Sequence, residues 1–132
     1  MLTVTKIIKF DAAHRLYKYN GACSNIHGHG YRAEITYSGI IDSLGMVKDF
    51  KDIKAEIGST IMSTFDHALV LNKEDPLARI LAKRTRLFLM EGNPTAENMA
   101  MYILQTAKNI IKVRIWETDT SFAEVQRDYL QG

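Results

Sequence analysis

Residues 31–38, with the sequence YRAEITYS, alternate strictly between apolar and polar side chains. The tyrosines, the alanine and the isoleucine would face one side of a strand, and the arginine, glutamate, threonine and serine the other. This period of two predicts a β-strand with one buried face, which Gly39 ends. Residues 3–10 (TVTKIIKF) lie upstream and are rich in β-branched side chains, so they predict a first strand.

Two long amphipathic helices are predicted further along the chain. The first begins near Asp49, a residue type that caps helices, and its apolar stripe is Phe50, Ile53, Ile57, Ile61 and Phe65. The second follows Asn93-Pro94-Thr95, and its stripe is Ala96, Ala100, Ile103, Ala107 and Ile110. Asp75-Pro76 opens a shorter helical stretch between them, because proline suits the first helical position.

Three further extended segments complete the pattern. Residues 86–91 (RLFLME) are predicted as a short strand, and residues 112–117 and 121–128 as two strands joined by a Thr-Asp-Thr turn. The order of the four main strands and two long helices predicts an α+β fold, a four-stranded antiparallel sheet with both helices on one face. A sheet of this size has open edges, so oligomerisation is expected.

Composition indicates one folded domain over 1–132. The chain of 132 residues is 46% hydrophobic and 24% charged, which suits a single core. A net charge of +2 is too small to indicate nucleic acid, and no apolar run of about 18 residues is available to span a membrane. The first ten residues lack the uninterrupted apolar core of a signal peptide, and the single cysteine, Cys23, cannot form an internal disulfide. Both observations predict a cytoplasmic protein.

Three of the four histidines lie within the first 29 residues. His27 and His29 flank a glycine directly before the second strand, where residues two apart point to the same side about 6–7 Å from each other. His14 follows the first strand and would meet them if the two strands pair as an antiparallel hairpin. Three imidazoles with an open fourth position are typical of a catalytic zinc site. Surface or turn positions are the alternative, but three histidines at matching strand ends favour a metal.

Six motifs, in order along the chain, resemble one family. They are FDAAH at 10–14, CSNIHGHGY at 23–31, GMVKDF at 45–50, FDH at 65–67, PTAEN at 94–98 and WET at 116–118. Together they resemble the 6-pyruvoyltetrahydropterin and 6-carboxytetrahydropterin synthase family from about residue 4 to residue 127. The resemblance implies a tunnelling fold (T-fold), in which protomers join into trimeric barrels and two trimers stack into a homohexamer with active sites between subunits.

The resemblance also implies a substrate, 7,8-dihydroneopterin triphosphate, and a cofactor, Zn²⁺. The three-residue gap between Cys23 and His27 is similar to that of the bacterial 6-carboxytetrahydropterin synthases, carbon–carbon lyases that release acetaldehyde and triphosphate and feed queuosine synthesis. The animal 6-pyruvoyl enzymes usually have a longer gap and only eliminate triphosphate. The chain departs from the family at Phe65, where leucine is usual, and over 70–92, which forms a longer insert.

Cys23, Asp66 and His67 are the predicted catalytic residues. A thiol beside a dication and imidazoles favours its thiolate form, so Cys23 would be the general base; an inert buried cysteine is the alternative. Asp66 would fix the tautomer of His67, making it a proton shuttle. Adjacent residues can cooperate in this way only in a turn or across an interface, and a helix cap is the alternative for Asp66.

Glu117, Thr95 and Glu97 are the predicted substrate-binding residues. The resemblance makes Glu117 the carboxylate that accepts two hydrogen bonds from the pterin ring N–H and amino group; a solvated edge-strand glutamate is the alternative. Thr95 and Glu97 would assist, or would serve only as first-turn helix residues. The cations near the metal motif that could hold the triphosphate are Lys9, Arg15 and Lys18.

Two other functional classes remain open on the residues alone. A zinc hydrolase would use the same three histidines, and Cys23 would then be dispensable. A non-catalytic oligomer that binds a pterin or nucleotide is the other class.

Overall fold

A long antiparallel hairpin forms the centre of the molecule. In the computed structural model, which describes residues 1–131, β1 spans Thr3–His14 and β2 spans His27–Ser38. Their register pairs Phe10 with Tyr31 and His14 with His27. Both strands were predicted, but each is longer than its alternating stretch, so the histidines lie within the ladder rather than beyond its ends.

Four further strands extend the hairpin into a six-stranded mixed sheet of order β4-β3-β1-β2-β5-β6. They are β3 (Ala68–Asn72), β4 (Leu87–Met90), β5 (Ile110–Thr118) and β6 (Ser121–Gln126). β3 is parallel to β1 and β4 is parallel to β3, whereas the pairs that join β1, β2, β5 and β6 are antiparallel. The expected four-stranded antiparallel sheet is therefore only part of the observed one.

β3 is the strand that the sequence pattern did not predict. Its residues ALVLN are buried at the first four positions, so both faces of the strand are covered. A strand buried on both faces shows no alternation between apolar and polar residues and cannot be distinguished from a buried helical segment by periodicity. β4, predicted within 86–91, lies beside it, so both ends of the segment 70–92 belong to the sheet.

The first long helix begins where the sequence predicts it. Asp49 is its N-cap, and the Asp49 carboxylate accepts a 2.9 Å hydrogen bond from the Lys51 amide. The helix comprises α1 (Phe50–Ile53), a π-helical turn (Lys54–Gly58) and α2 (Ser59–Thr64). The shorter helix α3 (Leu77–Ile80) forms where it was predicted, with Pro76 as its N-cap rather than as its first helical residue. Within residues 1–131, no helix is long and apolar enough to cross a membrane.

The second long helix, α4 (Ala96–Leu104), is shorter than its predicted stripe. The Arg127 guanidinium donates to the carbonyls of Leu104, Ala107 and Ile110 at distances of 2.5–3.0 Å. These carbonyls have an external donor and need no further helical turn to satisfy them. Ile110 consequently begins β5 instead of ending the helix.

Both long helices pack on the same face of the sheet, as predicted. Their fully buried side chains Ile53, Ile61 and Ile103 join one apolar cluster with Tyr31 and Ile35 of β2. Burying a side chain of this size contributes about 1.5–3 kcal/mol. Phe65, the departure from the usual leucine, is 0% exposed, and its ring lies 5.7 Å from Phe10 and 5.2 Å from Phe88. The core therefore accommodates the larger ring.

Candidate metal centre

The β1–β2 ladder brings the three predicted metal ligands together. His14 ends β1 directly opposite His27, and His29 lies two residues further along β2, on the same face. The ring centroids are 4.7, 5.1 and 4.9 Å apart, and one ring nitrogen from each residue lies within 4.8 Å of the others. This spacing is suitable for a single metal ion.

Hydrogen bonds to carbonyls set the tautomers of two of these histidines. Nδ1 of His14 lies 2.7 Å from the Pro94 carbonyl, and Nδ1 of His27 lies 2.7 Å from the Asn25 carbonyl. A carbonyl can only accept, so each Nδ1 carries the proton and each Nε2 presents a lone pair. These two carbonyls orient the ligand nitrogens in the way that hydrogen bonds to Nδ1 orient metal-bound histidines in other proteins.

The three Nε2 atoms fit a cation. Nε2 of His14 and Nε2 of His27 are 3.2 Å apart, a distance at which two lone pairs repel unless a proton or metal ion lies between them. Nε2 of His29 is buried and has no hydrogen-bond partner among residues 1–131. An unpartnered buried nitrogen is costly without a ligand. The donor set therefore fits a divalent metal that accepts nitrogen ligands.

The surroundings of His14 favour its neutral form. His14 is 2% exposed, and this burial lowers the pKa of its imidazole, although the Pro94 carbonyl and Glu117 oppose the shift. The Tyr31 hydroxyl lies 3.3 Å from Nδ1 of His14. Burial, followed by the charge of Glu117, raises the pKa of Tyr31, so this hydroxyl stays neutral. Neutral imidazole is the form that binds metal.

Glu117 stands at the edge of the three histidines. Its Oε1 lies 3.5 Å from Nε2 of His14 and 3.8 Å from Nε2 of His29, and its side chain is one-third exposed. Glu117 and Glu97 also line one cavity of about 400 Å³ between α4 and β6, together with Phe122. Phe122 was not predicted as a site residue. Its ring is half-exposed and packs on Trp116, with the ring centroids 4.5 Å apart.

Thr95 has the structural role that the sequence left open. It is the N-cap of α4, and its Oγ1 accepts a 3.2 Å hydrogen bond from the Asn98 amide. Glu97 follows in the first turn, where its negative charge stabilises the helix N-terminus. Its place on the cavity wall also leaves it available to a ligand.

Cys23 lies on the connection between β1 and β2, in the 3₁₀ turn Ala22–Ser24. Its side chain is exposed, so the alternative of an inert buried cysteine does not apply. Its carbonyl accepts a 2.8 Å hydrogen bond from the Leu16 amide. Strand β2 then leads from this turn to His27.

Asp66 and His67 form the predicted pair in a turn. Nδ1 of His67 donates to the Asp66 carboxylate over 2.8 Å, and this geometry depends on a left-handed backbone at His67 with φ of 57°. The other Asp66 oxygen accepts from the Asp11 amide at 3.0 Å. Partial burial opposes the shift, but the hydrogen bonds from Asp11 and His67 keep the pKa of Asp66 below its usual value.

His67 lines a cavity of about 530 Å³ together with His29, one of the three predicted metal ligands. Ala13, Gly28 and Gly30 line the same cavity. Within residues 1–131, no hydrogen bond or ion pair connects His67 to His14, His27 or His29. In a single protomer, the Asp66–His67 pair therefore borders the cavity of His29 without a hydrogen bond to any of the three histidines.

The three cations near the metal motif are in different environments. Arg15 forms a bidentate pair with the buried carboxylate of Asp75, with distances of 2.7 and 2.5 Å. The ammonium of Lys18 lies 5.5 Å from the centroid of the Tyr17 ring. Lys9 is exposed on the open face of β1, opposite Arg32 in the ladder. Arg15 is therefore largely committed within the fold, and the other two remain available to an anion.

Comparisons with known proteins identify the relatives of this chain. The family model described as 6-pyruvoyl tetrahydropterin synthase matches residues 3–128. A curated protein of Haemophilus influenzae named 6-carboxy-5,6,7,8-tetrahydropterin synthase is 34% identical, with 96% of this chain and 99% of the relative covered. A protein of the same name from Rickettsia conorii is also 34% identical, with 95% and 100% covered.

A solved structure gives the same result for the fold. The 6-pyruvoyl tetrahydropterin synthase of Caenorhabditis elegans superposes with a TM-score of 0.73 at 28% identity, covering 95% of this chain and 94% of that one. Sequence and structure therefore agree along nearly the whole length. The chain belongs to the 6-pyruvoyl tetrahydropterin synthase family.

Proposed function

We propose that the protein is a zinc-dependent carbon–carbon lyase that converts 7,8-dihydroneopterin triphosphate and one water molecule into 6-carboxy-5,6,7,8-tetrahydropterin, acetaldehyde and triphosphate. One observation carries the proposal: His14, His27 and His29 place their nitrogens within 4.8 Å of one another beside the carboxylate of Glu117. The Haemophilus and Rickettsia relatives carry the name of this reaction at 34% identity. The product would serve queuosine synthesis.

The three histidines would hold the zinc ion. When bound, zinc would polarise the hydroxyl groups of the substrate side chain and stabilise negative charge that develops on their oxygens. The Pro94 and Asn25 carbonyls would keep His14 and His27 in the ligating tautomer. Glu117 would accept hydrogen bonds from the ring N–H and amino group, and so orient the pterin with its side chain toward the histidines.

Proton transfers would then fall to Cys23 and to the Asp66–His67 pair. The Cys23 thiolate would remove a proton from a side-chain carbon, and His67, oriented by Asp66, would carry protons to and from the substrate oxygens. Phe122 offers an exposed ring on the wall shared by Glu117 and Glu97, where a flat pterin could stack. Lys9 and Lys18 would bind the triphosphate, since Arg15 already binds Asp75.

We propose that the active protein is a homohexamer built from two trimeric barrels. Residues 3–11 of β1 pair only with β2 in the described sheet, because β3 pairs with β1 only from Ala12 to His14. β6 is the other open edge of the antiparallel part. Pairing between these edges would extend the sheet from copy to copy. It would also bring His67 of one copy toward the three histidines of another.

The 6-pyruvoyl reaction is the second candidate, because the Caenorhabditis elegans structure carries that name at 28% identity. It would use the same residues, but it would eliminate triphosphate without breaking a carbon–carbon bond. The short gap between Cys23 and His27 favours the carboxy reaction. A cytoplasmic location is part of the proposal, since an exposed single thiol suits a reducing compartment.

Product identification tests the proposal directly. The zinc-loaded protein is incubated with 7,8-dihydroneopterin triphosphate, and the products are identified by mass, with chelator-treated protein as the control. Acetaldehyde together with 6-carboxytetrahydropterin supports the carboxy reaction. A 6-pyruvoyl product without acetaldehyde supports the second candidate. Ligand binding without any product indicates a non-catalytic oligomer. Turnover that survives replacement of Cys23 by alanine indicates a zinc hydrolase.

A further inference from the structure

The connection between β1 and β2, residues 15–26, carries Cys23 and is here called the thiol loop. Inside this loop the Leu16 amide donates to the Cys23 carbonyl at 2.8 Å. The position of Cys23 therefore depends on where the first residues of the loop are held. These residues directly follow His14, so the contacts that fix them also affect the position of a predicted metal ligand.

Asp75 provides the first hold. Its side chain is fully buried, and its two oxygens accept from Nε and Nη2 of Arg15 at 2.7 and 2.5 Å. One of these oxygens also accepts from the Leu77 amide at 2.9 Å, at the start of α3. A buried carboxylate with all of these partners has one defined position. Arg15, and with it the start of the thiol loop, is fixed to the segment between β3 and β4.

Asn93 provides the second hold. Its side-chain amide accepts from the Tyr17 backbone N–H at 2.9 Å and donates to the Tyr17 carbonyl at 3.1 Å, as a paired strand residue would. Asn72 donates to the same Asn93 oxygen at 3.3 Å, which ties the amide to the end of β3. Pro94, the next residue, supplies the carbonyl that orients His14.

We propose that Asp75 and Asn93 are positioning residues, a two-point clamp that fixes the thiol loop and so sets the place of Cys23 relative to the metal ligands. The consequence for turnover rests on the proposed function, whereas the effect on the loop does not. The segment 72–93 would therefore serve to anchor the thiol loop. Arg15 and Asp75 are 60 residues apart in the sequence, and Tyr17 and Asn93 are 76 residues apart.

Hydrogen exchange of the Leu16 amide tests the hold on the loop. Asp75→Asn and Asn93→Ala each remove one point of the clamp but leave the Leu16–Cys23 bond chemically intact. We expect the Leu16 amide to exchange about tenfold faster, or more, in both variants, with the β2 amides unchanged. The matched control is Glu91→Gln, which breaks the exposed 2.6 Å pair with Lys73 in the same segment without touching the loop.

Arg15→Lys is a second variant, to be used if Asp75→Asn does not fold. It keeps a cation beside the buried Asp75 carboxylate. It loses the bidentate geometry and should show the same faster exchange at Leu16. Unchanged exchange at Leu16 in Asn93→Ala and in a folded Asp75 or Arg15 variant overturns the clamp.

Turnover of the zinc-loaded protein tests the catalytic consequence. In the clamp variants we expect kcat per zinc-loaded molecule to fall about tenfold or more with KM within about threefold, because the thiol is misplaced but Glu117 is not. Equal kcat values for the clamp variants and Glu91→Gln overturn the positioning role. If the unmodified protein forms no product, the proposed function fails, and the exchange rates still decide whether the clamp exists.

Discussion

Oε1 of Glu117 lies 3.5 Å from Nε2 of His14, so the carboxylate predicted to bind the pterin also borders the metal centre. This proximity permits two roles. Glu117 can hold the pterin ring within reach of the metal, or it can close the site as a fourth ligand. A closed four-ligand site would be structural, whereas an open one is suited to catalysis. Replacing Glu117 by glutamine separates these roles.

Glu117→Gln should lower kcat/KM about a hundredfold or more while zinc affinity stays within about threefold, because each hydrogen bond to a charged acceptor contributes about 1.5–3 kcal/mol. Steady-state kinetics and competition with a chromophoric chelator measure the two quantities. Glu74→Gln, an exposed carboxylate in the turn after β3, is the matched control. Zinc affinity that falls along with activity would identify Glu117 as a ligand instead.

His27→Ala should weaken zinc binding by at least about a hundredfold. Replacing a residue that only hydrogen-bonds to a metal ligand already lowers metal affinity about 10–100-fold. His27 is only half-buried, so the variant should fold. Chelator competition measures the affinity, and zinc-dependent stabilisation in urea provides a second measurement. His67→Ala is the comparison, because His67 does not belong to the group of three histidines whose nitrogens lie within 4.8 Å of one another. If both variants bind zinc as the unmodified protein does, the three-histidine centre is wrong.

Mixing two inactive variants should restore activity if His67 acts across a subunit boundary. Glu117→Gln and His67→Asn are unfolded together at equal amounts and refolded, with each variant refolded alone as the control. In randomly mixed hexamers about a quarter of the sites would combine an intact Glu117 with an intact His67 from the neighbouring copy. Activity near that fraction supports a shared site. Mixed hexamers without activity would place both residues in one protomer's site.

Asp75 should make the free energy of unfolding depend on pH in the acid range. Its hydrogen bonds with Arg15 hold the pKa of its carboxyl below its usual value, although burial opposes this. A lowered pKa in the folded state means that the stabilisation is complete above the unfolded pKa of about 3.9 and is lost as the pH falls through the folded pKa.

Urea unfolding at several pH values measures this dependence in Asp75→Asn. The variant should be about 3 kcal/mol less stable than the unmodified protein at pH 7, since one partner of a largely buried pair is removed. The difference should shrink as the pH falls below about 4. Lys73→Gln is the control, because its ion pair with Glu91 is exposed and should leave the free energy of unfolding nearly unchanged. A difference that is constant with pH would show that the Asp75 charge is not what stabilises the fold.

Local signals in the sequence predicted the centre of the molecule. The alternation around Tyr31 identified β2, and the spacing of His27 and His29 predicted a shared face, which the ladder with His14 confirms. The Asp49 cap was predicted correctly because it depends on neighbours a few residues away. Such features are encoded within one turn or one strand, where period and capping chemistry are visible.

The missed features depend on distant partners. β3 is buried on both faces, so its residues carry no period that reveals which strand they join. The end of α4 is set by Arg127, which lies 23 residues beyond Leu104. Asp75 and Asn93 resemble ordinary turn residues until the fold brings Arg15 and Tyr17 to them. The cavity shared by His29 and His67 likewise follows from strand pairing, not from any motif.

One alignment of the β1–β2 hairpin serves two purposes at once. It stacks Phe10 on Tyr31, with ring centroids 5.0 Å apart, and it sets His14 against His27 four residues further along. A shift of one residue would turn every side chain of a strand to the wrong face. A molecule that has packed its aromatic core in this register has therefore also brought His14 and His27 together, and an ion bound between them would hold the two strands in that register.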